Sequence, residues 1–548
     1  MSVEAAPREP WRRALLLSLP ALAFLLGCWP LSDYDVWWHL RTGQLILQAG
    51  AVPRQDWFTY TNADRAWIDV YWLYQIGLAL LFRLGGATAL VVLKAVAGAT
   101  IVALSSRGRV EGARRDGPLW PWGLAWMPGV VMLSGRLTER PELVSLLLLT
   151  SVLVVLARAP ARPRLLWLLP ALQLAWANCH GFFVLGPLVL AAYAVDWLVD
   201  AWRPPARPVD RPPPQIFAAA AVASLLACLA NPYGIAPVGL ALAQSHKIGG
   251  GLYRQTIGEL KSTGDFIAAA GIWNPYLLAG FAAFGLGVAS FVACARRARL
   301  RLFRALLFAA GAVLSWQATR NSALFGIIAV FVTTWNLEDA LAARPAPVVE
   351  RPSRKPARRH RPSPPPPAAR RPVANLALVA ATGGLALVTV SGGLYAWAGE
   401  GRRVGFGERP RWFAHDACAF LARPDMPERM IAYNISQAAV CIAHGAPAHK
   451  QFMDPRLELN TQETFERYLD GIRLLARRDA DWEAALKIDH ARPAELPAIL
   501  IERGPLGRAA EVLSHDPRWR CVFADDLATV FIPNENAEQH GLPGVPLR

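Results

Sequence analysis

Charge is what this sequence of 548 residues has least of: Asp, Glu, Lys and Arg together make up 18%, against about a quarter in an ordinary soluble domain. Cysteine is scarce as well, at seven, with no CxxC pair and no Cys/His spacing suited to a metal. That excludes a disulfide-built secreted scaffold. The first apolar stretch lacks a small-residue cleavage site, so it reads as a retained helix and not as a removable signal. No strong internal repeat stands out. The length alone would allow three or four soluble domains at about 150 residues each, but the low charge argues against them.

What fills the chain is apolar. Hydrophobic residues make up 54%, with 21 Trp, and long windows such as Ala14–Leu31, Ala87–Leu104 and Leu376–Trp397 carry almost no charge. Windows of this length match the hydrocarbon core of a bilayer, and their number indicates a polytopic membrane protein. The formal net charge of +16 suggests a polyanion partner until its location is read. Close to half of the 57 Lys and Arg lie in six short segments, 1–13, 107–117, 158–164, 202–213, 295–304 and 341–372, and the rest of the chain is slightly acidic. Basic residues confined to short loops mark a cytoplasmic face, not a nucleic-acid site.

Placing those segments inside gives eleven expected crossings: 14–32, 86–106, 118–135, 142–157, 164–178, 182–201, 215–231, 276–294, 304–319, 322–340 and 374–398. The N-terminus is then cytoplasmic and the C-terminal tail extracytoplasmic. Val70–Leu81 is left out of the count as an amphipathic helix in the outer interface, where Trp67, Tyr71, Trp72 and Tyr74 are at home. The expected fold is an all-α membrane domain over 1–342, a cytoplasmic Pro/Arg-rich linker over 343–373, a last membrane helix over 374–398, and a small α/β extracytoplasmic domain over 399–548. In that last part, apolar runs of strand length (Arg429–Tyr433, Ala498–Glu502, Cys521–Ala524, Ala528–Ile532) alternate with helical stretches near 411–422, 461–476 and 505–515. Its three cysteines, Cys418, Cys441 and Cys521, allow at most one bridge, and their spacing does not choose the pair.

Polar residues gather at the expected outer helix ends: Asp33, Asp35 and His39 after the first helix, Arg136, Glu139, Arg140 and Glu142 after the third, Asn178 and His180 after the fifth, Asn231-Pro-Tyr-Gly after the seventh, and Arg320-Asn321 after the ninth. Some of this has plain explanations. Asn-Pro-Tyr-Gly is turn chemistry, His180 can satisfy a helix end, and the arginines can snorkel to headgroups. Asp33 and Asp35 resist such a reading. Two carboxylates at the end of a membrane helix are costly unless they are solvated, paired or metal-bound.

The stretch Asp33–Thr61, DYDVWWHLRTGQLILQAGAVPRQDWFTYT, resembles the first outer loop of the C-type (GT-C) glycosyltransferases, a superfamily that includes protein O-mannosyltransferases, aminoarabinose transferases and oligosaccharyltransferase catalytic subunits. The whole chain is similar to a group of bacterial membrane proteins with a DxWWHL start, here Asp35–Leu40, followed by Arg140-Pro141, Asn178–Gly181, Asn231–Gly234, Arg320-Asn321 and Asp454–Arg456. The resemblance implies a GT-C-like fold with interfacial helices at Trp37–Gln48 and Val70–Leu81. It also implies transfer of a sugar from a polyprenyl-phosphate donor to an acceptor at the outer face of the cytoplasmic membrane. On that reading Asp35 is the general base with Asp33 or His39 beside it, and Arg136, Arg140 and Arg320 hold the departing phosphate, with Glu139, Asn178 and His180 also in the site. A divalent metal, Mg or Mn, on Asp35 and Glu139 is compatible with it but not required. The expected partners are the lipid-linked donor and membrane lipids. Two other classes compete: a transporter of lipid-linked substrate, disfavoured because most helices are free of charge in the middle (Lys94 is an exception), and a non-catalytic scaffold of the same fold.

Overall fold

The computed structural model describes residues 10–109, 117–203, 210–249, 251–297, 300–342, 370–504 and 507–547; most of the expected linker, 343–373, lies outside them. Among the described residues, seventeen α-helices precede the first strand of a C-terminal sheet: α1 (Pro10–Gly27), α2 (Asp35–Ala49), α3 (Trp72–Ser105), α4 (Trp120–Ser134), α5 (Glu142–Arg158), α6 (Leu168–Ala177), α7 (Leu185–Trp202), α8 (Pro214–Ala227), α9 (Ala236–Gly249), α10 (Gly251–Thr256), α11 (Thr263–Ala270), α12 (Pro275–Arg297), α13 (Leu302–Gln317), α14 (Ser322–Ala342), α15 (Arg370–Val390), α16 (Gly393–Trp397) and α17 (His415–Leu421).

Five of the described segments are long and apolar enough to cross a membrane: Trp72–Gly108, Gly181–Trp202, Pro275–Arg297, Thr319–Ala342 and Val373–Val390. Large apolar side chains on three of them stay exposed, among them Leu188, Leu198, Phe281, Phe284 and Leu387, as lipid-facing surfaces require. The chain is a membrane protein. The other six expected crossings are helical too, but α1, α4, α5, α6, α8 and α13 run only 10 to 18 residues. At 1.5 Å per residue most fall short of a core about 30 Å thick, so the count of eleven rests on the charge pattern.

Trp72–Ser105 is one helical run of 34 residues, far longer than a crossing needs, and it breaks at Gly85 and Gly86. Gly86 has φ +58° and ψ −150°, a conformation essentially closed to other residues. The segment after the break begins where the expected crossing 86–106 begins. The part before it packs against α2, and Gly43 makes that approach possible: a Cβ there would sit 2.1 Å from the Gln75 carbonyl oxygen.

The C-terminal domain carries a five-stranded sheet, β1 (Arg429–Ala432), β2 (Lys450–Gln451), β3 (Ala498–Glu502), β4 (Trp519–Ala524) and β5 (Ala528–Pro533), in the order β2-β1-β3-β5-β4. β2, β1 and β3 are parallel, while β5 and β4 add antiparallel strands. The four expected strands are there, and the sequence pattern missed the short β2 and the helix Ile435–Gly445 before it. That helix is joined to His415–Leu421 by the disulfide Cys418–Cys441, leaving Cys521 free and buried.

The sheet is stitched to the first polar loop. Gln451 donates its backbone N–H to Phe58 O at 2.8 Å and accepts from Tyr60 N at 3.0 Å, so 58–60 runs as an added strand beside β2. Arg41 donates to the Ala446 carbonyl from Nε (2.9 Å) and Nη2 (2.5 Å). Arg456 spans the junction: it is 1% exposed, grips Asp454 and reaches Asp56 Oδ1 at 2.5 Å, between the rings of Phe58 and Trp67.

Candidate functional site

Below this junction lies a polar cavity of about 120 Å³, walled by the start of α2, the turn between α4 and α5, His180, the loop after α10, Arg320 at the head of α14, and Pro455–Glu458 of the C-terminal domain. Each wall has a local cause. Asp33 accepts the Asp35 backbone N–H at 3.0 Å, closing a first turn at the N-terminus of α2, where a carboxylate is favoured by the helix dipole. Asp35 therefore opens the helix with its side chain at the cavity wall. The turn between α4 and α5 is held from behind: Glu139 is buried against Lys94 Nζ at 2.6 Å, and Tyr74 Oη donates to the Glu139 carbonyl at 2.7 Å. Arg136 and Arg140, on either side of that turn, are left to face the cavity.

The two arginines are not free cations. Arg140 Nε meets Asp33 Oδ2 at 2.5 Å, its Nη2 meets Asp35 Oδ2 at 3.2 Å, and its Nη1 meets both oxygens of Glu259 at 3.1 Å. Arg136 pairs with Glu142 and, through Nη1, with Glu259 at 3.1 Å. Arg320 stands apart. Among the described residues it makes no ion pair, and its guanidinium lies 5.3 Å from the centre of the Phe182 ring. It is the cavity arginine most available to an incoming anion.

Burial sets the charge states. Asp35 is surrounded by protein although its side chain is accessible from the cavity; burial pushes its carboxyl up to about 7 against the pull of Arg140, with Asp33 and Glu259 adding to the rise. Burial acts the same way on Glu259, but Arg140, Arg136 and Arg320 outweigh it and hold that carboxyl well below its ordinary range. Burial and nearby arginines keep both cavity histidines neutral, His39 well below its usual value and His180 down at about 3. Gln75 Nε2 donates to His39 Nδ1 at 3.2 Å. Behind the other ring, Trp176 donates to Ser145 Oγ at 2.7 Å, and Ser145 Oγ lies 2.7 Å from His180 Nδ1. The Gln75 amide leaves His39 with Nε2–H as its free donor.

Of the residues named from sequence, Asp35, His39, Arg136, Arg140, Glu142, His180 and Arg320 share this cavity, and Asp33 lies just behind it on Arg140. Two do not belong. Glu139 is turned inward onto Lys94, because a buried ammonium needs a counter-ion more than the cavity needs another acid. Asn178 braces helix ends: it accepts from Trp72 Nε1 at 3.0 Å and donates to the carbonyls of Leu174 and Ala230. With Glu139 withdrawn, Asp35 and Glu139 do not form a metal pair, and among the described residues no group of three or more His, Cys, Asp or Glu is arranged to hold an ion. Glu259 is the residue sequence reading missed. It sits in a stretch without a motif, and nothing local points it at two arginines far back in the chain.

A second cavity adjoins the first. It is an apolar groove of about 780 Å³ between α12, α13 and α14, lined by Phe281, Phe284, Val313, Trp316 and Phe325, with Arg136, Arg320 and Glu400 among its polar residues. The same two arginines line both cavities. No protein-family model and no curated protein matches the chain. What the site can do is therefore argued from its geometry: it can hold a molecule with a long apolar tail, an anionic junction and a polar head presented to a carboxylate.

Proposed function

We propose that this protein transfers a sugar from a polyprenyl-phosphate donor to an acceptor at the outer face of a bacterial cytoplasmic membrane. One observation carries the reading: Arg136 and Arg320 belong at once to an apolar groove between long helices and to the polar cavity of Asp35. A polyprenyl chain fits the groove, its phosphate the arginine junction, and its sugar the polar cavity. The likeness of Asp33–Thr61 to the first outer loop of GT-C transferases points the same way.

The chemistry asks for few groups. Asp35 takes the proton of the acceptor hydroxyl as that oxygen attacks the anomeric carbon, a step in which a base near pH 7 is effective. The bond to phosphate breaks, and the charge gathering on the leaving phosphate is met by Arg320 and Arg136, whose guanidinium forks suit phosphate oxygens. Neutral His39 offers its Nε2–H, and neutral His180 its outer ring nitrogen, to sugar hydroxyls. Attack from the face opposite the phosphate inverts the anomeric centre. The C-terminal domain roofs the cavity through Pro455–Glu458 and excludes water. In this reading the eleven crossings form a GT-C-like membrane domain, the N-terminus is cytoplasmic, and the disulfide Cys418–Cys441 belongs to a domain in an oxidising compartment.

The test is turnover. Membranes holding the wild-type chain, supplied with a panel of labelled polyprenyl-phosphate sugars, should release free polyprenyl phosphate from at least one, and Asp35→Asn should lower that rate by about a hundredfold or more, the scale of general-base catalysis. Failure of every donor, or an undiminished rate in Asp35→Asn, contradicts the proposal.

A further inference from the structure

Glu259, in the short 3-10 turn Gly258–Leu260, reaches two arginines from far back in the chain. Its two carboxylate oxygens face Arg140 Nη1 at 3.1 Å each, and one of them also faces Arg136 Nη1 at 3.1 Å. This is how a guanidinium cradle holds a bound anion. Its backbone, by contrast, is anchored elsewhere. Thr319 Oγ1 donates to the Glu259 carbonyl at 3.2 Å, Thr319 N donates to the Lys261 carbonyl at 3.0 Å, and Ser262 caps the helix that follows. The side chain keeps 28% of its surface accessible, so it can rotate away while the loop stays in place beside Arg320.

We propose that Glu259 is a tethered anion that fills the cradle of Arg136 and Arg140 and yields it to the phosphate of an incoming lipid-linked substrate. The exchange is balanced in charge, since a phosphodiester carries one negative charge, as the Glu259 carboxylate does. It is matched in geometry, since the same fork of N–H donors serves carboxylate and phosphate. Asp33 and Asp35 hold Arg140 and Glu142 holds Arg136 from their own sides, while Glu259 alone bridges the two guanidiniums. Arg320, unpaired among the described residues, then meets the phosphate first, and Arg136 and Arg140 take it over as Glu259 leaves.

This inference rests on the reading of the junction as a lipid-phosphate site, and one titration separates the two. The purified full-length protein in detergent, as wild type, Glu259→Gln, Glu259→Asp and Arg320→Gln, is titrated with farnesyl phosphate, farnesol and inorganic phosphate by calorimetry, with the ligand-free melting temperature as the check on folding. Glu259→Gln should bind farnesyl phosphate about tenfold more tightly than wild type, within the usual range for coupled sites, and farnesol no differently. Glu259→Asp, with a shorter arm, should fall between them and keeps the test decisive if the Gln variant does not fold. Equal farnesyl phosphate affinity in wild type and both Glu259 variants, with a loss in Arg320→Gln, overturns the tethered anion and leaves the lipid-phosphate site standing. Tighter inorganic phosphate binding in Glu259→Gln, with nothing added by the farnesyl chain, supports the anion exchange and overturns the lipid reading. No phosphate binding by any form overturns both.

Discussion

Arg140 Nη2 lies 3.2 Å from Asp35 Oδ2, while the same guanidinium holds both oxygens of Asp33. The two acids of the DYD motif therefore have different work. Asp33 orients the arginine and closes the first turn of α2, and Asp35 is left with an oxygen to offer the cavity.

A pH profile separates these roles. Burial pushes Asp35 up to about 7, and a general base works only when ionised, so turnover should climb with pH through about 7 and level off above it. Asp33→Asn should keep that limb but move it to lower pH, because Asp33 adds to the rise, while lowering stability by about 1 kcal/mol through the lost ion pair with Arg140. A profile that is flat between pH 5 and 8 in the wild type would remove Asp35 from the base role.

Asp69 offers a second pH test, of folding and not of catalysis. It is fully buried, burial raises its carboxyl to about 8, and its Oδ2 finds no hydrogen-bond partner among the described residues. The folded chain therefore binds this proton more tightly than the unfolded chain, whose carboxyl titrates near 4. The stabilisation is complete below about pH 4 and is lost as pH rises through about 8. Melting temperature in detergent should fall across that window, and Asp69→Asn should flatten the fall. An unchanged slope in the variant contradicts it.

Arg456 reads differently in sequence and in structure. Asp454-Pro455-Arg456 looks like a turn with a surface ion pair, whose loss costs no more than about 1 kcal/mol. The fold instead buries Arg456 beside two aromatic rings and ties it to Asp56 of the first loop. Arg456→Ala leaves two buried carboxylates without their cation and should cost about 3–5 kcal/mol, read as a large drop in melting temperature and easier proteolysis of the C-terminal domain. A drop equal to that of an exposed control such as Arg411→Ala would refute the junction.

The legible parts of this molecule are those that local pattern dictates. Apolar runs gave the helices, five of them long enough to cross a membrane, four strands followed from short apolar runs, and the Gly85-Gly86 break coincides with the start of an expected crossing. The polar clusters at helix ends marked seven residues of one cavity, Glu142 among them, because a membrane protein has few reasons to place Arg, Asp, Glu and His there. What pattern cannot carry is pairing across long separations: Glu139 with Lys94, Asp56 with Arg456, and Glu259 with Arg136 and Arg140. Each is a meeting of ordinary charged residues that only the packed chain brings about.

Topology can be checked without any substrate. In intact cells a membrane-impermeant maleimide should label Arg411→Cys, which is exposed on the C-terminal domain, while a cysteine at position 112, in the basic segment 107–117 and outside the described residues, should label only after the membrane is opened. Labelling of position 112 from outside would undo the eleven-crossing arrangement.

The most direct measurement is a structure of the protein with a bound polyprenyl phosphate. The phosphate should lie within hydrogen-bonding distance of Arg320 and Arg136, with the chain running along Phe281, Phe284 and Trp316 and the Glu259 carboxylate moved off Arg140. A lipid bound with its phosphate away from both arginines, or with its chain outside the groove between α12 and α13, would contradict the assignment of this cavity as the transfer site.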